Sequence, residues 1–161
     1  MNRVLIGEIY LPLHRLVAYY GNDLARRADA VQFCAALDAC GARARSRRSS
    51  HDYEKALPVG AWPNWVLGNH DRPRVASRVG PEQARVAAML LLTLRGTPTL
   101  YYGDEIGMRQ IPIAPEQVRD PFEKNVPGIG VGRDGCRTPM QWDASAYAGF
   151  STAEPLAAAG A

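Results

Sequence analysis

The stretch WVLGNHDRPRVASRVGPEQARVAAMLLLTLRGTPTLYYGDE, residues 65–105, decides the fold. It opens on a short apolar run, Trp65-Val66-Leu67-Gly68, which follows a turn marked by Pro58, Gly60 and Pro63 and ends in the polar cluster Asn69-His70-Asp71. That pattern predicts a strand followed by a loop. Pro81 then starts a segment with Glu82 in its first turn and Gly96 beyond its end, the expected start and stop marks of a helix. From Val86 to Leu94 it is apolar nearly all round, which predicts burial on more than one side. Thr97-Pro98-Thr99-Leu100-Tyr101-Tyr102-Gly103 reads as a second strand ending at Asp104-Glu105. Strand, helix, strand in this order predicts a βαβ unit, a parallel sheet and an α/β fold class.

Upstream, residues 3–10 are rich in Val, Leu, Ile and Tyr and predict a further strand buried on both faces, closed by Pro12. Downstream, Pro and Gly recur from Gly107 to Trp142, so this part reads as a long ordered loop. Residues 1–150 are expected to form one domain and residues 151–161 an unstructured tail. Residues 22–50 stand apart: they hold six Arg, eight Ala and two of the three Cys, which reads as a surface helix.

Nineteen Lys and Arg against sixteen Asp and Glu leave a formal charge of +3, too mild to imply a nucleic-acid partner. The run Arg43-Ala44-Arg45-Ser46-Arg47-Arg48 has no interleaved aromatic residues and reads as a solvated face. Gly128-Ile129-Gly130-Val131-Gly132 does not sit between a strand and a helix, so no phosphate loop is predicted. Cys34, Cys40 and Cys136 lack zinc-like spacing and suit a reducing compartment. The start of the chain has no sustained apolar stretch, and no segment reaches the roughly 20 apolar residues of a membrane helix. The expectation is a cytoplasmic chain with no cofactor, no assigned metal ligand and no membrane or nucleic-acid partner.

In parallel α/β architectures the loops after the C-terminal strand ends build the site. Glu8 and Asp71 both take that place, which suits acid/base chemistry on a small substrate. The alternative is that Glu8 pairs with a nearby Arg and Asp71 caps the next loop. His70 is placed to donate to a substrate hydroxyl or to satisfy a loop carbonyl. Tyr10, Trp62, Trp65 and Tyr102 could supply walls for sugar stacking, but core packing is the commoner fate of such residues.

Three strings carry a resemblance: Leu5-Ile6-Gly7-Glu8-Ile9-Tyr10-Leu11-Pro12, Val66-Leu67-Gly68-Asn69-His70-Asp71, and Gly132-Arg133-Asp134-Gly135-Cys136-Arg137-Thr138-Pro139-Met140-Gln141-Trp142. With TPTLYYGDEIGM at 97–108 between the second and third, the chain resembles exo-acting α-glucosidases of the α-amylase family, glycoside hydrolase family 13. The resemblance implies a partial (β/α)8 barrel in which Glu8 ends the fifth strand, Asp71 the seventh and Tyr101-Tyr102-Gly103 the eighth. It implies that Glu8 is the general acid/base and that Asp71 holds sugar hydroxyls and stabilises the oxocarbenium-like transition state. His70 would bind a hydroxyl of the same sugar, and Arg137 would anchor the non-reducing glucose of an α-glucoside or maltooligosaccharide.

The family also has an Asn-His motif after its third strand and a Gly-Phe-Arg-x-Asp motif on its fourth, whose Asp is the nucleophile; the chain has no Gly-Phe-Arg-x-Asp string, and its one Asn-His pair, Asn69-His70, belongs to the seventh-strand motif. The resemblance therefore implies a fragment that is inactive alone. Residues 22–50 fall where the family has its sixth strand. A frame-shifted translation accounts for them: with allowed codons for residues 29–38, reading one nucleotide later yields Met-Pro-Phe-Asn-Phe-Ala-Leu-Leu-Trp-Thr, which is similar to the family there. A coding sequence that does not permit that reading would exclude it. Two other readings stay open, a non-catalytic relative that keeps the barrel as a scaffold and a truncated gene product without function.

Overall fold

The computed structural model describes residues 7–9, 11–21, 35–36 and 43–155. In chain order it contains helix α1 (Leu13–Leu16), strand β1 (Ala35–Ala36), helix α2 (Arg43–Ala56), strand β2 (Asn64–Val66), helices α3 (Val75–Val79) and α4 (Pro81–Thr93), strand β3 (Thr97–Thr99) and helix α5 (Pro121–Asn125). Short 3₁₀ turns stand between and after them. The chain divides into two compact units, Met1–Leu67 with Ala87–Thr99, and Gly68–Val86 with Leu100–Ala161.

The first unit holds the sheet, in the order β1-β2-β3. Both pairings are parallel, with Ala35 opposite Trp65, and Trp65 opposite Pro98. All three residues of β2 are buried, as a central parallel strand requires. Asn64, polar at a core position, is satisfied across the sheet by the Thr99 hydroxyl, which donates to its Oδ1 at 2.7 Å. Trp65 is fully buried and meets the Tyr53 ring edge-on at 5.2 Å. Its indole N–H donates to the Arg95 carbonyl at 2.8 Å, the partner a buried tryptophan needs. Gly96 beside it has φ +138°, and a Cβ there would lie 2.7 Å from the Pro63 carbonyl oxygen. A side chain is excluded at this corner on both counts.

Helix α4 begins at Pro81, as its local marks predict, and buries Ala84, Ala87 and Leu91 along one stripe. Val86, Met89 and Leu92 are exposed. The expectation of burial on more than one side is corrected: the described residues cover one face of this apolar helix.

Other expectations meet mixed outcomes. The strand at 3–10 lies mostly outside the described residues, and Gly7, Glu8 and Ile9 are not in a strand. Strand β3 stops at Thr99, short of the expected Tyr102. Its expected extension is held otherwise: Tyr101 and Tyr102 donate their hydroxyls to the carbonyls of Cys136 and Thr138. Within residues 22–50, read as one surface helix or as a lost sixth strand, the described residues form β1, which pairs with β2, and the first part of α2 from Arg43. Residues 107–142 form a loop built from turns and the five-residue α5. Of the expected tail, Ser151–Pro155 have no helix or strand, and the rest lies outside the described residues. Among the described residues no helix is long and apolar enough to cross a membrane.

In the second unit, Arg74 is fully buried and donates to the Tyr102 carbonyl at 2.7 Å. Its guanidinium lies over the rings of Tyr101 and Tyr102, at 5.2 and 4.7 Å from their centroids. It ties the segment after β3 to the segment before α3.

Candidate functional site

The site is built where β2 ends. Gly68 leaves the strand, and a Cβ on it would come 2.8 Å from Asp104 Oδ2. Asn69 Oδ1 then accepts the Asp71 backbone N–H at 3.1 Å, a local turn typical of Asn. This turn presents His70 and Asp71 side by side, with His70 Nε2 at 3.5 Å from Asp71 Oδ1. Asn69 closes the turn, and the Asp71 carboxylate is turned to other partners.

Those partners are two arginines. Arg133 donates to Asp71 Oδ1 from NH1 at 3.0 Å, and Arg137 donates to the same oxygen from NH2 at 2.9 Å. Among the described residues no hydrogen bond reaches Oδ2. Arg137 also donates from Nε to the His70 carbonyl at 2.9 Å, and the Cys136 thiol donates to that carbonyl at 3.3 Å. One guanidinium thus grips the backbone of His70 and the side chain of Asp71. Burial raises the Asp71 pKa, but the hydrogen bond from Arg133, the charge of His70 and the hydrogen bond from Arg137 outweigh it and hold the carboxyl below its ordinary value. Burial pushes the Cys136 thiol up, so it acts as a neutral donor.

Behind Arg133 stands Asp120, whose side chain is 1% exposed. Arg133 donates to it from Nε at 2.7 Å and from NH2 at 3.0 Å, a two-pronged pairing. The hydrogen bond from Arg133 is the main reason that the Asp120 carboxyl lies well below the usual carboxylate range. The loop around it is knitted by carboxylates. Asp134 accepts from the backbone N–H groups of Arg119 and Asp120, and Glu123 from those of Gly128 and Gly132. A cavity of about 660 Å³ opens beside this loop, lined among others by Ile111, Ile113, Val118 and Glu123, and neither His70 nor Asp71 lines it.

Three of the four expected site residues, His70, Asp71 and Arg137, belong to the second unit and are in contact within it. Glu8 is an exposed residue of the first unit, outside any strand or helix. Arg133 and Asp120 were not foreseen; the signal was present in the Gly-Arg-Asp string that precedes Arg137, where a second arginine stands one helical turn away. Among the aromatic residues, Trp65 is core, Trp62 is half exposed beneath the Arg95 guanidinium, and Tyr102 packs under Arg74. Tyr10 lies outside the described residues.

With this geometry in place, comparison with known proteins is informative. Residues 3–159 match the family described as the alpha amylase catalytic domain. The chain is 34% identical over 158 residues to Maltase A1 of Drosophila melanogaster, covering 94% of this chain and 27% of that protein. It is 36% identical over 143 residues to the human Amino acid transporter heavy chain SLC3A1, covering 88% of this chain and 19% of that one. Among solved structures, the alpha-glucosyl transfer enzyme XgtA is similar with a TM-score of 0.82 and 31% identity, over 95% of this chain and 29% of the other. The chain thus spans less than a third of the length of each of these three relatives.

Proposed function

This chain belongs to the α-amylase catalytic-domain family of glycoside hydrolases, and on that premise we propose that it carries the acid/base side of a retaining α-glucosidase site. In this reading β1, β2 and β3 stand for the sixth, seventh and eighth strands of a (β/α)8 barrel, and Glu8 follows the fifth. The substrate is a terminal, non-reducing α-linked glucose. Glu8 protonates the glycosidic oxygen and later takes a proton from water. Asp71 holds sugar hydroxyls and stabilises positive charge at the anomeric carbon, and His70 donates to a hydroxyl of the same ring. Arg137 serves the glucose through its grip on both His70 and Asp71.

The observation that carries this reading is the state of the Asp71 carboxylate. Two arginines donate to one of its oxygens, among the described residues no hydrogen bond reaches the other, and the arginines help hold the carboxyl below its ordinary pKa. An ionised carboxylate beside a separate proton donor is the division of labour that glycoside cleavage needs. Retention also needs an attacking carboxylate about 5 to 5.5 Å from the acid. The family motif that supplies it does not occur in this sequence, so the chain alone is expected to be inactive. Purified chain should release no nitrophenol from nitrophenyl α-glucoside. Hydrolysis that Glu8→Gln abolishes would overturn the inactivity.

The similarity to a transporter heavy chain favours a second reading, a barrel kept as a scaffold. Fusing the chain behind the first four barrel strands of an insect maltase separates the two. Hydrolysis dependent on Glu8 and Asp71 supports the enzymatic reading; a folded, inactive fusion supports the scaffold.

A further inference from the structure

Asp120 accepts three hydrogen bonds from Arg133. Its Oδ1 accepts the Phe122 backbone N–H at 3.1 Å, which starts α5, and Arg133 NH2 at 3.0 Å. Its Oδ2 accepts both the backbone N–H and the Nε of Arg133, at 2.8 and 2.7 Å. The Phe122 ring lies 4.8 Å from the Arg133 guanidinium carbon. The plane of the guanidinium is thereby fixed by a carboxylate on one edge and a ring against it. Among the described residues NH1 is left with a single acceptor, Asp71 Oδ1 at 3.0 Å. A lysine could not do this, because an ammonium has no fork to share between two carboxylates.

We propose that Asp120 is a positioning residue of the Asp71 site: acting through the Arg133 guanidinium, it sets the orientation and charge state of the Asp71 carboxylate. The inference rests on the reading of Asp71 as the transition-state carboxylate only for its functional meaning; the chain Asp71, Arg133, Asp120 is geometric. Among the described residues, the side chains within ion-pair distance of Asp71 include His70, Arg133 and Arg137. With Asp120 removed, Arg133 regains its freedom and Asp71 keeps the other two.

The test follows the Asp71 carboxyl carbon by NMR during a pH titration of the full chain, in the parent and in Asp120→Asn, Arg133→Gln and the double variant. Losing the Asp120 charge would by itself lower the Asp71 pKa, so a rise of about one unit in Asp120→Asn, the low end of what a neighbouring arginine contributes, reports loss of the oriented Arg133 contact. Arg133→Gln should raise it at least as far, and the double variant no further than Arg133→Gln alone. An unchanged or lowered Asp71 pKa in folded Asp120→Asn, or effects that add in the double variant, would overturn the proposal. If Asp120→Asn does not fold, Arg133→Lys decides: it leaves the Asp120 cap on α5 and keeps the charge. A raised Asp71 pKa there supports the positioning role, and an unmoved one refutes it. No sugar enters the measurement, so an inactive scaffold would still give the same answer, and failure here leaves the α-glucosidase reading intact.

Discussion

Single residues in the second unit carry charge at unusual cost. Both carboxylate oxygens of Asp104 are buried without a hydrogen-bond partner among the described residues, as are Nε and NH2 of Arg74. Burial pushes the Asp104 carboxyl up to about 6, despite the nearby charge of Arg74. An unfolded aspartate titrates near about 3.9. Folding therefore favours the protonated form, and the stability this contributes is complete below about pH 4 and lost as the pH rises through about 6. Urea midpoints of the parent chain should fall across that window. Asp104→Asn, neutral throughout, should flatten the profile there; a parallel pair of curves would refute the assignment. Little of this was legible in the sequence. Asp71 and Arg137 stood out because their strings are compact, whereas Arg133 meets Asp71 across 62 positions. No local pattern announces which of several loop arginines will make such a contact.

At the scale of elements, legibility followed local punctuation. Helix α4 was readable because Pro81, Glu82 and Gly96 mark its ends within the segment itself. Strand β1 was not, since Ala35 and Ala36 have weak strand preference and are placed by pairing with Trp65 and Val66. The extent of β3 was overestimated because Tyr101 and Tyr102 look β-prone, yet their hydroxyls are claimed by carbonyls of the later loop. Strand β2 is the element on which the first unit depends most, through Trp65. Trp65→Ala should cost about 3 to 5 kcal/mol, the usual range for emptying such a site. Trp65→Phe keeps much of the packing but strands the Arg95 carbonyl, and should cost about 1 to 3 kcal/mol. Urea unfolding of both variants checks the order; equal losses would mean that the indole N–H bond contributes nothing.

At the scale of the molecule, the sheet is the weak point. Among the described residues β1 and β3 each pair on one side only, and Pro98 and Thr99 are exposed. The apolar residues Val86, Met89 and Leu92 are exposed on α4 as well. Open strand edges and bare apolar helix faces both promote association. Light scattering on the isolated chain should therefore show an apparent mass that climbs with concentration. A constant monomer mass across the range would show that these surfaces are inert. The family was legible at this scale because its strings span the chain, but the completeness of the sheet was not. Edge pairing depends on segments that no short motif specifies.

The meeting of Arg133 and Arg137 on a single oxygen of Asp71 makes the two oxygens of that carboxylate chemically unequal. A proton arriving at this group would settle on Oδ2, to which no arginine among the described residues donates. The anchors on Oδ1 would stay in place while the edge offered to a visiting molecule turned from receiving hydrogen bonds to giving one. Polarity at this spot is thus reversible without any movement of the scaffold that holds it.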